Sequence, residues 1–166
     1  ANRGGGAALK AGYEIIKKFN TRVVVTMDAD DQHAPEEISK LIEPILAGSA
    51  DFVIGSRILG SSERYSAFRL IGVRFFSKLI NLIVNTNITD CSSNFRAFEN
   101  SLLQCCLLIQ EQYHTAEMII EAAKRGFRIV EQPVHISKRL SGESKKGKDF
   151  TYALLFFRTI IKTWLR

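Results

Sequence analysis

The chain lacks several features that would have narrowed its chemistry at once. Its three cysteines, Cys91, Cys105 and Cys106, are odd in number, and the adjacent pair matches no zinc-ligand spacing. They read as reduced packing residues in a cytosolic setting, not as a disulfide framework. His33, His114 and His135 likewise show no ligand spacing. No Gly-Lys-Ser/Thr follows the early glycines Gly4-Gly5-Gly6, which excludes a P-loop, and no strand precedes them, which excludes a dinucleotide fingerprint. A long apolar stretch over 67–84 is interrupted by Arg69, Arg74 and Lys78, whereas a membrane span needs roughly 20 apolar residues. Internal repeats and low-complexity tracts are absent.

What is present is one domain's worth of chain. Its 166 residues are 46% hydrophobic, enough to bury a substantial core. The 23 basic and 17 acidic residues leave a net charge of +6, which suits anionic partners: nucleotide phosphates, phospholipid or nucleic acid. Nucleic acid is the weakest of these, because the basic residues cluster with aliphatics and form no aromatic stacking platform. The chain opens without an initiator methionine or leader, directly into Asn2-Arg3-Gly4-Gly5-Gly6. A doubly wound domain normally begins with a strand, so the expectation is a fragment whose first strands are missing.

The strongest local signal is Asp28-Ala29-Asp30-Asp31-Gln32 behind the apolar run Val23-Val24-Val25-Thr26-Met27. The run reads as a buried central strand of a parallel sheet. Ligands of open α/β sheets bind beyond the carboxyl ends of such strands. Carboxylates crowded there repel one another and cost desolvation unless a hard cation holds them. Asp28 and Asp30, two apart on extended backbone, can face one cavity. Asp31 or His33 can instead cap a helix beginning at Pro35-Glu36-Glu37, but a cap accounts for one acid, not three. An EF-hand fails because His33 and Ser39 occupy its glycine and glutamate positions.

Periodicity predicts helices over 7–18, 35–47, 67–84 and 115–125, with helical patterns also running to about 110 and a stop at Gly126. Strands are predicted over 51–55 and 127–136, the latter an edge or bulge because of Pro133. The first delivers Ser56 and Arg57 to its carboxyl end, facing the aspartates, where Arg57 either pairs with a helix acid or binds phosphate. The 67–84 helix lies at a membrane surface, against the crevice mouth, or in the core. After a basic loop over 137–148, a terminal segment carries Phe150, Tyr152, Phe156, Phe157 and Trp164, with Arg158, Lys162 and Arg166 on one stripe. That combination points to an interfacial helix on anionic lipid, with core docking as the alternative.

In this order, Asn2-Arg3-Gly4-Gly5-Gly6, the Asp28 to Glu36 stretch, Gly55-Ser56-Arg57, Asp90 to Arg96, Glu117-Met118, Glu131-Gln132-Pro133-Val134 and Arg139 to Lys145 together resemble glycosyltransferase family 2. The likeness is to its polyprenyl-phosphate, dolichol-phosphate mannose synthase-like branch. It implies an α/β GT-A fold, a Rossmann-like mixed sheet flanked by helices. A partial catalytic domain would cover 1–148 and a C-terminal amphipathic, membrane-interfacial helix 149–166. It implies that Asp28 and Asp30 form the D-x-D pair holding Mg²⁺ or Mn²⁺ on the donor diphosphate, with Gln32 a further metal position. Gly4, Arg57, Arg74, Ser77, Arg139 and Lys145 match phosphate-binding positions, and Arg139 and Lys145 belong to a mobile loop closing over the phosphates. Asn94 replaces the glycine usual before Phe-Arg.

The implied reaction is inverting transfer of a sugar from a nucleotide-sugar, GDP-mannose or UDP-hexose in type, to polyprenyl phosphate on the cytoplasmic side of a membrane. Peripheral attachment leaves room for a separate membrane-anchoring subunit or a homo-oligomer. An acceptor phosphate is already an anion and needs no general base; a hydroxyl acceptor would need one, with Asp90 or Glu117 the candidates. The developing diphosphate charge needs the cation and Arg139. A third reading is a non-catalytic membrane-associated scaffold. With the base-binding strands expected to be absent, the 166 residues alone are expected to bind nucleotide poorly and turn over little.

Overall fold

The computed structural model describes residues 5–63, 67–138 and 149–166. Helix α1 (Gly5–Ile16) leads to strand β1 (Val23–Thr26); a single 3-10 turn, Pro35–Glu37, then opens helix α2 (Ile38–Leu46). Strand β2 (Phe52–Ser62), helix α3 (Ala67–Val84), strand β3 (Arg96–Glu99) and helix α4 (Asn100–Cys105) follow. The order closes with α5 (His114–Lys124), β4 (Ile129–Ile136) and α6 (Asp149–Leu165).

The sheet runs β1-β3-β2-β4. Strand β3 is antiparallel to both β1 and β2, while β2 and β4 are parallel, so β3 is the one reversed strand in an otherwise parallel set. This corrects two sequence expectations. Strand β1 is an edge of the described sheet and pairs antiparallel with β3. Its valines are apolar on both sides because both faces are covered: Val23 and Val25 pack under α2, and Val24 packs on the opposite side.

Strand β3 itself was hidden in the sequence. It opens with Arg96, which reads as part of a polar turn, yet this side chain is 1% exposed. The guanidinium donates to the carbonyls of Ser93, Thr115 and Cys91 at 2.7, 2.9 and 3.3 Å, and lies over the Phe52 ring. Burial pulls its pKa down to about 10. A buried cation satisfied by carbonyls is invisible to a hydrophobic pattern.

One core lies between the sheet and α2: Leu41 and Ile45 meet Val53, Phe95, Ala97 and Val134. The larger core joins Phe52, Ile54 and Phe98 to Tyr13, Ile80, Leu103, Ile119, Phe156 and Ile160 from the helices on the other face. Each fully buried side chain of this size contributes about 1.5–3 kcal/mol. Helix α6 is thus docked against α3 and α5 along one side. Gly126, at φ +78°, ends α5 as expected, since the left-handed region is open to glycine. Strand β4 occupies the other edge, as Pro133 predicted, and its register on β2 shifts between Ser56 and Ser61.

Candidate active site

The acidic loop leaves the carboxyl end of β1. Asp28 is exposed and Asp30 half-buried, and the Gln32 amide donates to Asp30 Oδ1 at 3.4 Å while Asp31 takes a left-handed φ of 62°. The capping alternative fails: Ala34 holds the cap position of the following 3-10 turn, with no side-chain cap. The aspartates therefore carry no helix-capping duty.

A strap from the end of β4 closes the loop from behind. The Ser137 amide donates to the Gln32 carbonyl at 2.9 Å, Gln32 Nε2 donates to the Ser137 carbonyl at 3.1 Å, and His33 bridges to Ile136. Gln32, expected as a metal position, thus spends its amide nitrogen on the end of β4. The strap sets the acidic loop at the root of the basic segment. Gly4, Arg139 and Lys145 lie outside the described residues. His33 packs on the Phe95 ring with centroids 4.8 Å apart, and burial holds its imidazole below the usual pKa against the pull of Asp28.

Asn94 connects the loop to a helix. Its Nδ2 donates to Asp28 Oδ1 at 2.8 Å, and its Oδ1 lies 3.2 Å from His114 Nε2 at the start of α5. Its backbone carbonyl accepts from Thr26 Oγ1 at 2.8 Å. A Cβ at Gly6 would collide with the Glu111 carbonyl and press on the His114 ring, so this glycine permits α1 to close on the same corner. Between α1, β1, Asp28 and Asn94 lies a groove of about 370 Å³.

Arg57 and Asp90 sit elsewhere than expected. Strand β2 continues to Ser62, so Arg57 is inside the strand, where Nε and Nη2 donate to Asp90 Oδ2 and Oδ1 at 2.5 and 3.1 Å. Nη2 also donates to Ser92 Oγ at 2.9 Å. Glu131 accepts from the amides of Thr89 and Asp90, both at 2.8 Å, and from the Thr89 hydroxyl. Burial raises its pKa, opposed by those same hydrogen bonds. Ser77 is buried, donating to the Thr89 carbonyl and accepting from the Cys91 amide. Arg57 and Ser77, expected at phosphate-binding positions, both bond the 89–92 turn. Arg74 is exposed on α3.

Glu117, expected as a candidate base, lies in the interior. It is 0% exposed, and its carboxylate accepts from the amides of Ile109 and Gln110 at 3.1 and 2.9 Å and from Arg166 at 3.2 Å. Arg166 also pairs with Glu121 at 2.9 Å, so it leaves the basic stripe that Arg158 and Lys162 keep. The Asp90 and Glu117 carboxylates are each buried and held by several donors. Such partners are what a buried charge needs: a counter-charge or several donors.

Asp28 and Asp30 remain as hard oxygen donors. Among the described residues no cluster of three or more His, Cys, Asp or Glu assembles. Two carboxylates nonetheless fit Mg²⁺ or Mn²⁺, since such ions complete an octahedron with waters and substrate phosphates instead of an all-protein cage.

Comparison with solved structures bears on the fold. Glucosyl-3-phosphoglycerate synthase from Mycobacterium tuberculosis, in complex with Mn²⁺, uridine diphosphate and phosphoglyceric acid, superposes with a TM-score of 0.66 at 18% identity, covering 97% of this chain and 54% of that one. The likeness shows the fold, GT-A: a mixed sheet flanked by helices. The chain belongs to glycosyl transferase family 2, whose model matches residues 1–107. It is 34% identical over 138 residues to UDP-N-acetylglucosamine–dolichyl-phosphate N-acetylglucosaminyltransferase of Methanococcus voltae, covering 80% of this chain and 55% of that protein. It is 31% identical over 146 residues to polyprenol monophosphomannose synthase of Mycolicibacterium smegmatis, covering 84% and 55%. The chain spans about half the length of the curated relatives it matches.

Proposed function

We propose that this chain carries the diphosphate and acceptor half of an inverting glycosyltransferase, moving a hexose from a nucleotide-sugar to a polyprenyl phosphate. The observation that carries the proposal is the pair Asp28 and Asp30 at the carboxyl end of β1, strapped through Gln32 and Ser137 to the root of the basic segment. A divalent cation there would neutralise charge on the leaving diphosphate. Asp28 and Asp30 would hold it; Arg139 and Lys145 would meet the phosphate oxygens from the basic segment.

The acceptor phosphate is preferred to a hydroxyl for a chemical reason. Asp90 and Glu117 are both buried and engaged, which leaves neither as a general base. A phosphate oxygen, already anionic, attacks the anomeric carbon without one, and the nucleoside diphosphate leaves from the opposite face. Alignment and charge balance then supply the catalysis. The relatives named for dolichyl and polyprenol phosphates support the same acceptor.

The membrane side of the proposal rests on two helix faces. Ile71, Phe75 and Leu82 of α3 are exposed beside Arg74 and Lys78, and Leu154, Phe157 and Leu165 of α6 are exposed beside Arg158 and Lys162. Among the described residues no helix is long and apolar enough to cross a membrane. These faces suit peripheral attachment to anionic lipid on the cytoplasmic side. The test is transfer by the full-length protein from labelled GDP-mannose and UDP-hexoses to polyprenyl phosphate and to free-hydroxyl glycans. Labelled lipid of inverted anomeric configuration is expected; transfer to hydroxyls alone would replace this reading with a glycan-extending one.

A further inference from the structure

The position of Asn94 has a consequence for Asp28 that the motif alone does not contain. Asp28 is exposed, and a carboxylate on an exposed loop rotates freely unless something holds it. Asn94 Nδ2 reaches its Oδ1 at 2.8 Å. An ionised carboxylate only accepts, so the nitrogen of the Asn94 amide must face Asp28 and the oxygen must face His114. That oxygen also only accepts. The contact at 3.2 Å therefore requires the proton of His114 on Nε2.

Asn94 is itself fixed at both ends. Thr26 Oγ1 donates to its backbone carbonyl, locking it to the last residue of β1, the strand that delivers Asp28. Its neighbour Phe95 is fully buried beneath α2. His114 begins α5, and Gly6 of α1 packs so close that a Cβ there would meet both the Glu111 carbonyl and the His114 ring. A glycine at position 94 would supply the turn but no amide. The side chain adds a hydrogen-bonded link from α5 to the acidic loop.

Resting on the metal-diphosphate reading of Asp28 and Asp30, we infer that Asn94 and His114 are positioning residues for Asp28. Asn94 occupies Oδ1 and leaves Oδ2 to face a divalent cation, so Asp28 presents one oxygen. His114 Nε2–H braces the far end of that amide, in the orientation the Asp28 carboxylate sets. Partners of this kind are worth roughly 10–100-fold in metal affinity at established metal sites.

The test combines two measurements on the full-length protein. Nitrogen-15 NMR of the metal-free protein reads the His114 tautomer; electron paramagnetic resonance titration with Mn²⁺ and a nucleoside diphosphate reads affinity. The Nε2–H tautomer is expected, with a preference weakened in Asn94→Ala. Mn²⁺ affinity should fall about 10–100-fold in Asn94→Ala and less in His114→Ala, with Asn94→Gln restoring part of the loss. The thermal midpoint of Asn94→Ala should match the wild type, which separates positioning from folding. An Nδ1–H tautomer in the wild type, or undiminished affinity in Asn94→Ala where Asp30→Ala abolishes binding, overturns the relay alone. Failure of the wild type to bind Mn²⁺ overturns both the relay and the metal reading on which it rests.

Discussion

Arg57 and Asp90 are 33 positions apart and meet as a buried ion pair, Nε to Oδ2 at 2.5 Å, with the residues 5% and 0% exposed. A second bond, Nη2 to Oδ1, makes the contact bidentate, and the Arg57 amide also donates to Asp90 at 3.3 Å. The pair fastens the 89–92 turn to the middle of β2. It therefore supports the neighbouring turn that carries Asn94, and so the acidic loop.

Removing one member should be costly. Asp90→Asn is expected to destabilise the chain by about 3–5 kcal/mol, because it strands the Arg57 cation away from water. The apolar double variant Arg57→Met with Asp90→Leu should lose much less. Urea denaturation of the three proteins measures the difference; equal losses in single and double variants would contradict a pair held chiefly against desolvation.

Asp30→Ala should leave the fold intact while removing a proposed cation ligand. Divalent-dependent binding of a nucleoside diphosphate to the full-length protein should weaken by at least the roughly 10–100-fold typical of a lost supporting partner. Calorimetric titration with and without Mn²⁺ reads this. Metal-independent binding that survives the substitution would count against the site.

Stability should fall in acid in part through Asp51. Arg128 donates to its carboxylate at 2.6 and 3.0 Å and holds its pKa below the usual 3.8. The folded state thus prefers the charged form. Its contribution is present above the unfolded value and is lost as pH falls through the lower folded one. Urea midpoints measured from pH 6 down to pH 2 should drop less steeply in Asp51→Asn; identical slopes would remove this pair from the acid response.

The exposed face of α3 offers a test of membrane attachment. Phe75→Asp should reduce co-sedimentation with phosphatidylserine vesicles, and Lys78→Glu should do so mainly at low salt, since each basic residue near an anionic surface is worth about 1 kcal/mol. Both side chains are exposed, so neither change should shift the thermal midpoint appreciably. Undiminished binding by both variants would move the attachment surface off α3.

Much of the fold was legible because its signals are local. The valines of β1, the apolar stripe of α2 and Gly126 each depend on residues a few positions away. The α3 segment was legible as a helix, but not which side it buries: Val73, Ser77 and Ile80 face inward while Leu82 is 82% exposed. Strand β3 was lost because Arg96 opens it, and the carbonyls that satisfy Arg96 come partly from α5, 19 positions on.

The site divides along the same line. The sequence by itself determined that Asp28 and Asp30 follow a buried strand, and that a resemblance to family 2 runs through nearly the whole chain, because order and spacing are properties of the string. Only the tertiary structure decided which charged groups are free to act. Arg57 found Asp90, Glu117 found Arg166 and two backbone amides, and Asn94 found Asp28 and His114. Each choice turns on burial and on partners brought from distant positions: a charge out of water must be paired, and the fold alone decides which charges leave water.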